Sequence, residues 1–466
     1  MNSHRMLFRW LCALALAACS VSVIAQTDPP VRAGSLSDIE GSVVFAPPGE
    51  TEWRQAPLNR PITAGDRLWT DPHARADVHL GTAVLHVDSE TFLEVRLLDE
   101  HVLHSQLHKG TLQARVRRLS AGELFEVDTP QLAFRALQPG TYRIDADGAR
   151  RITRVSVRDG TASVSGSSGR SLKLYPGQQL EVAGTDLDQI ASVSFDDDDF
   201  DTWADHRNAR EDQSLAAPHV PPEVVGSTQL DSYGSWVDDP AYGAVWYPNG
   251  LPADWAPYRY GTWQWIRPWG WTWIDRAPWG FAPFHYGRWA LIGSRWAWVP
   301  GRLGPHPVYA PALVSFIAGA ASRALGLGAG EAIAWYPLAP GEAWQPFFAA
   351  STAYRQRANQ SLARASARAA LQRWPQAVTA LRIEQFRSGE PVQQHWLRAH
   401  PADLVRVQPS LRSAGMTRAR SVALAAAVRS PGRLAHGRIQ QERPRLAPRP
   451  SSKRGNGARR HNGRVS

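Results

Sequence analysis

The sequence predicts a mainly β protein, with an export signal before the folded part and a basic segment after it. Over residues 34–190, apolar and polar residues alternate with the strand period of two, and turn dipeptides recur with no helical pattern between them. Aromatic strings then repeat at a short and nearly constant interval. We therefore expect a β-sandwich or β-roll domain, a Trp-rich β-hairpin repeat module, and a partly helical, largely disordered basic tail.

Residues 1–25 have the three-part form of an export signal. Basic residues precede the apolar run Trp10–Ala18, and small residues end at Ala25. The string Leu16–Cys19 also has the form of a bacterial lipobox, which would make Cys19 a lipidated N-terminus. Both forms of processing predict an exported protein, in the periplasm or on the periplasm-facing outer membrane. Because both cysteines of the chain lie in this segment, disulfides and cysteine-ligated metals are excluded from the mature fold.

Residues 34–190 have the pattern of one β domain. Strings such as Ala76–Leu80, Leu112–Val116 and Arg154–Val157 place apolar side chains on one face of a strand. Dipeptides that contain glycine, among them Lys109–Gly110, predict the turns between strands.

Several strings in this domain resemble the periplasmic domain of FecR-type proteins, and together they extend over most of it. They are Ile39–Val43, Leu58–Thr70, Gly81–Ala83, Phe125–Pro130 and Gly140–Ile144. FecR proteins relay a signal to a sigma factor through a cytoplasmic segment and a membrane helix. Only a few residues precede the apolar run here. We therefore expect the FecR-like domain in this chain but not the anti-sigma function.

Residues 191–230 are predicted to connect two folded regions. The run Asp196–Asp199 is acidic, and the charge-dense string Asp205–Gln213 predicts a short helix. The acidic run lacks the glycine and the distal glutamate of a calcium-binding EF-hand loop. A solvated linker or the N-terminus of a helix is the better interpretation.

Residues 231–301 hold 12 of the 20 tryptophans. The string Ala256–Trp263 recurs as Ala282–Trp289, and glycine and proline keep their places in both copies. A repeat this short predicts β-hairpins that share one core. In each Trp-x-Trp string, we expect one ring to fill the core and the other to remain accessible.

Two interpretations of these aromatic residues stay open. Large rings help a small domain without disulfides to bury enough apolar area. Alternatively, flat rings form a platform on which a sugar or a peptide stacks, with nearby cationic and imidazole groups adding hydrogen bonds. The candidate platform consists of Tyr258, Tyr260, Trp263, Trp265, Trp271, Trp273, Phe284, Tyr286, Trp289, Trp296 and Trp298, with Arg259, His285 and Arg288.

The Trp-rich block, which we place at residues 231–345, resembles the Trp-rich region of the DUF6600 type of bacterial envelope proteins. The strings that carry the resemblance include Tyr242–Pro248, Trp255–Gly261, Ala277–Trp289, Pro307–Val314 and Ala334–Glu342. That region also follows a FecR-like domain in the family. The resemblance implies an architecture and an envelope location, but no activity.

The C-terminal part of the chain is strongly basic. From Ser351 onward it holds 23 basic and four acidic residues, which is +19, whereas residues 1–350 carry −9. Residues 346–429 are Ala/Arg-rich and partly helical by pattern, with a surface helix predicted over Ala358–Arg373. Residues 430–466 have the composition of a disordered segment. In an exported protein such a tail favours anionic envelope surfaces as partners, and nucleic acid is disfavoured because aromatic residues are sparse.

No catalytic motif stands out. His101, His104 and His108 are the nearest approach to a histidine cluster, but their spacing does not fit a zinc motif, and an exposed strand is the better interpretation. Gly326, Gly328 and Gly330 lack the residues of a phosphate-binding loop. We therefore expect a protein that is not an enzyme and uses no cofactor or metal.

Two functional hypotheses follow. The first is an exported envelope protein that binds or scaffolds through its two β regions, with cell-wall or surface polysaccharide, or peptidoglycan, as the ligand. The alternative is a FecR-type signal-sensing regulator that acts with a membrane partner. An envelope protein partner is compatible with both.

Overall fold

A computed structural model describes residues 28–187, 189–192, 196–317, 331–360 and 375–398. The prediction of a mainly β fold is confirmed. The predicted export signal, the predicted disordered tail and nearly all of the predicted helix Ala358–Arg373 lie outside the described residues. Among those that are described, no helix combines the length and the apolar character needed to cross a membrane.

The first unit is built from short antiparallel strands and one long strand, β9. In chain order the strands are β1 (Gly34–Glu40), β2 (Val43–Ala46), β3 (Arg54–Gln55), β4 (Pro61–Ile62), β5 (Arg67–Thr70), β6 (Arg75–His79), β7 (Ala83–Val87), β8 (Phe92–Leu98), β9 (Val102–Val116), β10 (Leu124–Asp128), β11 (Ala133–Ala136), β12 (Gly140–Asp147), β13 (Ile152–Asp159), β14 (Ala162–Ser165), β15 (Ser171–Leu174), β16 (Gln178–Ala183) and β17 (Gln189–Ser192).

These strands form two sheets that share β9. In sheet 1, neighbouring strands follow the order β4-β1-β6-β7-β9-β12-β13-β16-β17, and all pairs are antiparallel. Sheet 2 has the order β3-β2-β5-β8-β9-β10-β11-β14-β15, and only the β9–β10 pair is parallel. We call this first unit the β roll.

Strand β9 passes from sheet 2 to sheet 1 at Gly110. Its first half pairs with β8, up to Lys109, and its second half pairs with β12 from Gly110 onward. Gly110 has a φ of 99°, and a Cβ there would lie 2.5 Å from the Cα atom of Thr91. The turn predicted at Lys109–Gly110 is therefore wrong, because the glycine bends one continuous strand instead of ending it.

An aliphatic core fills the space between the sheets. It is made mostly of leucine, valine and alanine side chains that alternate along the strands, as the period of two predicts. Leu107, Val127 and Val182 are among its fully buried members.

Helix α1 (Asp199–Asp212) follows the β roll and packs on sheet 1. The carboxylate of Asp198 accepts hydrogen bonds from the backbone N–H groups of Phe200 and Asp201, and the carboxylate of Asp201 accepts one from the backbone N–H of Asp198. This capping box explains the acidic run, which supplies the N-terminus of a helix as the sequence favours.

Ion pairs hold helix α1 against the sheet. Asp201, which is 1% exposed, pairs with Arg143 and Arg158, and Glu211 lies 2.9 Å from the Nε2 atom of His79. Burial alone would lower the pKa of His79, but the Glu211 carboxylate outweighs it and the pKa is raised. Burial would likewise raise the pKa of Glu211, and neighbouring cations bring it down to about 2. The predicted connector is thus packed rather than a solvated linker.

The second unit, which we call the Trp module, contains shorter sheets and several single-turn helices. Its strands are β18 (Gly234–Asp239), β19 (Gly243–Pro248), β20 (Gly261–Ile266), β21 (Gly270–Asp275), β22 (Arg288–Ile292), β23 (Arg295–Val299), β24 (Val314–Ile317), β25 (Ala332–Pro337) and β26 (Thr379–Arg382). Its helices are α2 (Ala282–His285), α3 (Thr352–Ala358), α4 (Ile383–Ser388) and α5 (Val392–His395).

The strands of the Trp module pair only in the antiparallel sense. Sheet 3 has the order β18-β19-β23-β22, β20 and β21 form a separate hairpin, and sheet 4 has the order β24-β25-β26. The two hairpins β20–β21 and β22–β23 follow the two copies of the aromatic repeat, as that repeat predicts.

The Trp module extends beyond the boundary expected at residue 345. Strand β26 completes sheet 4, and the side chains of Phe386 and Val392 lie in the same apolar core as the tryptophans. The basic segment therefore begins with residues that belong to the folded module.

The two units are joined by hydrogen bonds and by residues that precede β1. The side-chain amide of Asn59 in the β roll donates to the backbone carbonyls of Asp275 and Ala277, at 3.1 and 2.6 Å. Ala33 belongs to the core of the Trp module, and the backbone carbonyl of Val31 accepts from the N–H of Tyr309.

Candidate ligand-binding site

Most of the residues predicted as a ligand platform are inside the Trp module. Trp265 is 36% exposed and Tyr260 is half-buried. The other twelve are buried: Tyr258, Arg259, Trp263, Trp271, Trp273, Phe284, His285, Tyr286, Arg288, Trp289, Trp296 and Trp298. The structure corrects the platform interpretation for these twelve, because a ligand cannot stack on a ring face that the fold already covers. Of the twelve, Trp296 still reaches the surface cleft described below with an edge of its ring.

The buried rings pack on one another and form the core. The ring of Trp263 has its centre 5.5 Å from those of Trp273, Trp335 and Phe386. The indole N–H of Trp298 donates to the backbone carbonyl of Tyr286 at 2.8 Å, which satisfies a polar group inside the core. Of the two interpretations left open by the sequence, the structural one describes these residues.

The expectation that one ring of each Trp-x-Trp string stays accessible is wrong. Residues two apart in a strand lie on the same face of the sheet, so both rings point the same way. In β21, Trp271 and Trp273 are both buried. Only in β20 do the two rings of a pair differ in exposure. Trp265 lies near the end of the hairpin and is partly exposed, whereas Trp263 lies beneath sheet 4 and is buried.

The two buried arginines bind backbone rather than a ligand. Arg259 donates to Thr379 and to the backbone carbonyls of Gln376 and Val378, which anchors the segment around β26 to the module. Arg288 donates to the carbonyl of Glu342 at 3.0 Å. Burial lowers the pKa of both guanidinium groups to about 10.

Two carboxyl groups and one imidazole are also enclosed in the module. Burial raises the pKa of Asp275 to about 7, although the indole N–H of Trp273 donates to its carboxyl group at 3.0 Å. Burial also raises the pKa of Glu342 to about 7 and lowers that of His285 to about 3. The Nδ1 atom of His285 lies 2.8 Å from the carbonyl of Ala310, so Nδ1 carries the proton.

The candidate site is a cleft beside these buried rings. It has a volume of about 330 Å³ and lies between the loop that follows β19 and the turn of the β22–β23 hairpin. That volume falls at the lower end of the range for small-molecule sites, about 300–1,000 Å³. The lining residues are Pro248, Asn249, Gly250, Leu251, Pro252, Ala253, Trp255, Ser294, Arg295 and Trp296.

The cleft has an apolar floor and a polar rim. Trp255 and Trp296 are 8% and 7% exposed, so each presents only an edge of its ring. Asn249 and Arg295 are exposed at the rim, and the guanidinium of Arg295 lies 4.5 Å from the ring centre of Tyr247. This arrangement offers an apolar surface and hydrogen-bonding groups to a small polar ligand.

The sequence predicted one of the residues that line this cleft and missed the others. Trp296 belongs to the predicted platform, whereas Asn249, Ser294 and Arg295 do not. The available signal was the pair of turn dipeptides Asn249–Gly250 and Gly293–Ser294, which interrupt the aromatic strands and place polar side chains beside them.

The described residues thus define a two-unit β protein whose second unit is filled with indole rings and carries a surface cleft. Residues 227–342 match a family model described as a family of unknown function, DUF6600. The predicted DUF6600 resemblance is confirmed over that stretch, and the FecR-type resemblance of residues 34–190 stays a prediction. A comparison with curated proteins finds no match.

Two crystal structures show a distant likeness. Each is described as a candidate anti-sigma factor from Parabacteroides distasonis ATCC 8503, at 2.50 and 1.65 Å resolution. The likeness covers 28% and 30% of this chain and 60% and 64% of those chains, with identities of 21% and 20% and TM-scores of 0.25 and 0.26. The chain thus matches less than two thirds of their length, and TM-scores this low carry no argument about its function.

Proposed function

We propose that this chain is an exported, non-enzymatic envelope protein that binds a polysaccharide in the cleft of the Trp module. The observation that carries the proposal is the cleft itself, in which the edges of Trp255 and Trp296 lie below a rim that includes Asn249 and Arg295. The apolar C–H groups of a sugar ring pack against the exposed edges of the two indole rings without stacking on their faces, and the sugar's hydroxyl groups bond to amide and guanidinium groups. The volume suits about one or two sugar rings.

The envelope location is supported by the sequence. The apolar run Trp10–Ala18 and the small residues before Gln26 have the form of an export signal, and Cys19 offers a lipid-bearing alternative. In that compartment the available polysaccharides are peptidoglycan and surface glycans.

The non-enzymatic role is supported by where the titratable groups lie. Strongly shifted pKa values mark many catalytic sites, and Asp275 and Glu342 have such values. Both carboxyl groups are buried, at 2% and 6% exposure, and neither lines the cleft. Their shifts are therefore explained by their positions in the core.

The basic tail supplies a second contact in this proposal. Its residues beyond 398 lie outside the described part of the chain, and their Arg-rich composition fits the phosphate and carboxylate groups of the envelope. Binding through the tail should weaken as salt is raised, whereas binding in the cleft should change little.

A retention assay with the full chain tests the proposal. The protein is applied to insoluble peptidoglycan and to immobilised acidic glycans at high salt, so that the cleft rather than the tail determines retention. The double variant Asn249→Ala/Arg295→Ala should bind about thirtyfold more weakly, because two hydrogen-bonding groups of about 1 kcal/mol each are lost. Both residues are exposed, so the fold should remain intact.

The matched control is Arg302→Ala, which removes an exposed arginine that does not line the cleft. It should bind as the unaltered protein does. Equal retention of the double variant and the control would exclude the cleft as the binding site. If the unaltered protein were retained on none of these glycans, polysaccharide would be excluded as the ligand class.

A further inference from the structure

The parallel pairing of β9 and β10 brings three metal-binding side chains together on the outer face of sheet 2. His104 lies opposite Glu126 in the register of the two strands, and Asp128 lies two residues further along β10 on the same face. The sequence predicts only an exposed strand around His104, because its carboxylate neighbours belong to a different strand.

The geometry of this cluster is close to that of a coordination site. The Nε2 atom of His104 is 2.8 Å from Oδ2 of Asp128 and 3.9 Å from Oε1 of Glu126. The three candidate ligand atoms all lie within 4.8 Å of one another. In a tetrahedral site with bonds of about 2.0–2.1 Å, ligand atoms are about 3.3 Å apart. Small side-chain rotations would bring the three ligand atoms to these separations.

A neighbouring arginine orients one of the carboxylates. Arg135 on β11 donates to Oε2 of Glu126 from Nη2 at 2.7 Å and from Nε at 3.1 Å. Because Oε2 is held there, the other oxygen of Glu126 is presented towards His104. Such outer contacts fix ligand orientation in metal sites.

We propose that His104, Glu126 and Asp128 form a binding site for a divalent transition-metal ion of the zinc type. One imidazole and two carboxylates are ligands that Zn²⁺ accepts, whereas Ca²⁺ prefers an all-oxygen set of six to eight ligands. All three side chains are partly exposed, so the remaining coordination positions face solvent. The site is separate from the cleft of the Trp module and does not depend on the proposed polysaccharide ligand.

Isothermal titration of the chelator-treated full chain with ZnCl₂ tests the site. The chain has 15 histidines, so the site is defined by the difference between variants. His104→Ala and Asp128→Asn should each weaken the tightest zinc-binding step by at least about tenfold. His108→Ala is the matched control, because it lies on the same strand and contacts Glu94 at 3.0 Å instead.

A thermal-unfolding measurement separates binding from folding. Zinc should raise the unfolding temperature of the unaltered chain and of His108→Ala, because an ion that binds only the folded state stabilises it. It should not raise that of His104→Ala, whose unfolding temperature without metal should stay near that of the unaltered chain. Zinc affinity in His104→Ala equal to that of the unaltered chain, or an equal loss in His108→Ala, would overturn the proposal.

Discussion

The β roll and the Trp module differ in what fills their cores. In the roll, two sheets that share a strand of 15 residues enclose leucine, valine and alanine side chains. In the described part of the module, the longest strands have six residues, and the core is built mainly from tryptophan, tyrosine and phenylalanine rings. Ion pairs hold helix α1 against the β roll. In the Trp module, hydrogen bonds from Arg259 and contacts between aromatic rings hold the segment around β26 and α4.

This difference follows from the area that each unit has to bury. Short strands in small sheets present few side chains to a core, and each aromatic residue buries about 150–250 Å². Large sheets bury a comparable apolar area with many smaller side chains. The module should therefore be sensitive to loss of a ring, and the interface of the roll with its helix should be sensitive to loss of a charge.

The largest effect is expected from Trp298→Ala in the module. The ring is fully buried, and its N–H bond to Tyr286 would be lost together with the contacts of the ring. We expect the free energy of unfolding of the module to fall by about 4 kcal/mol. Chemical denaturation followed by tryptophan fluorescence measures this change.

Trp265→Ala is the matched control for that experiment. It removes a ring of the same size that is 36% exposed, so the loss should stay near or below about 1 kcal/mol. Similar losses in the two variants would contradict the view that buried rings hold the module together.

The next effect is expected from Asp201→Ala in helix α1. The substitution leaves Arg143 and Arg158 without their buried partner and removes one half of the capping box. We expect a loss of about 3 kcal/mol in the docking of the helix on sheet 1. Hydrogen exchange of the α1 amides measures it directly.

Asp205→Ala serves as the control, because that carboxylate is about half exposed and 3.9 Å from Arg158. It should change amide exchange by less than about 0.5 kcal/mol. Fast exchange in both variants would mean that helix α1 is not held by the buried pair.

The sequence predicted elements that depend on local pattern. Alternation over Ala76–Leu80 and Arg154–Val157 predicted parts of β6 and β13, and the aromatic repeat predicted two hairpins. The turn expected at Gly110 is wrong because glycine permits a bend as readily as a reversal, and only the pairing of both halves of β9 distinguishes them.

Burial and long-range contacts could not be predicted in the same way. Whether Trp263 is covered depends on Trp335 and Phe386, which belong to much later elements of the chain. The cluster around His104 requires a parallel strand pair whose partner is not visible in the local pattern. The residues of the candidate site were thus only partly predictable, because the sequence identified its aromatic edge and not its rim.

The third effect is a dependence on pH in the module. Asp275 has a pKa of about 7 in the folded state, above the value of 3.8 for an exposed aspartate, so the protonated form favours folding. Its contribution is fully present below pH 3.8 and is lost as the pH rises through 7. Between pH 5 and 8 we expect the module to lose about 2 kcal/mol from this group, measured by denaturation at each pH.

Asp275→Asn should remove the part of the module's pH dependence that comes from Asp275 and leave a second part of similar size, because Glu342 also has a raised pKa of about 7. The roll should behave in the opposite sense at acid pH, since Glu211 stabilises above pH 4.5 and its contribution is lost as the pH falls towards 2. A slope in Asp275→Asn equal to that of the unaltered protein would exclude Asp275 as its source.

The smallest effect is expected at the junction of the two units. Asn59 has a φ of 61° and donates to two backbone carbonyls of the module, so Asn59→Gly removes those bonds without straining the backbone. We expect a loss of about 1 kcal/mol in the coupling between the units. The core of each unit should keep its own stability, because the substitution changes neither set of apolar side chains.

The readout is the separation between two unfolding transitions, one followed by tryptophan fluorescence in the module and one by amide exchange in β9. Coupled units stabilise each other, so weakening the junction should move the transition of the less stable unit to lower denaturant and leave that of the other in place. Asn59→Ala loses the same bonds but adds strain at a positive φ, which should lower the stability of the roll as well. Identical transitions in Asn59→Gly and the unaltered chain would show that Asn59 does not couple the two units, and would leave the residues before β1 and the ion pair of Arg357 with Glu100 as the link.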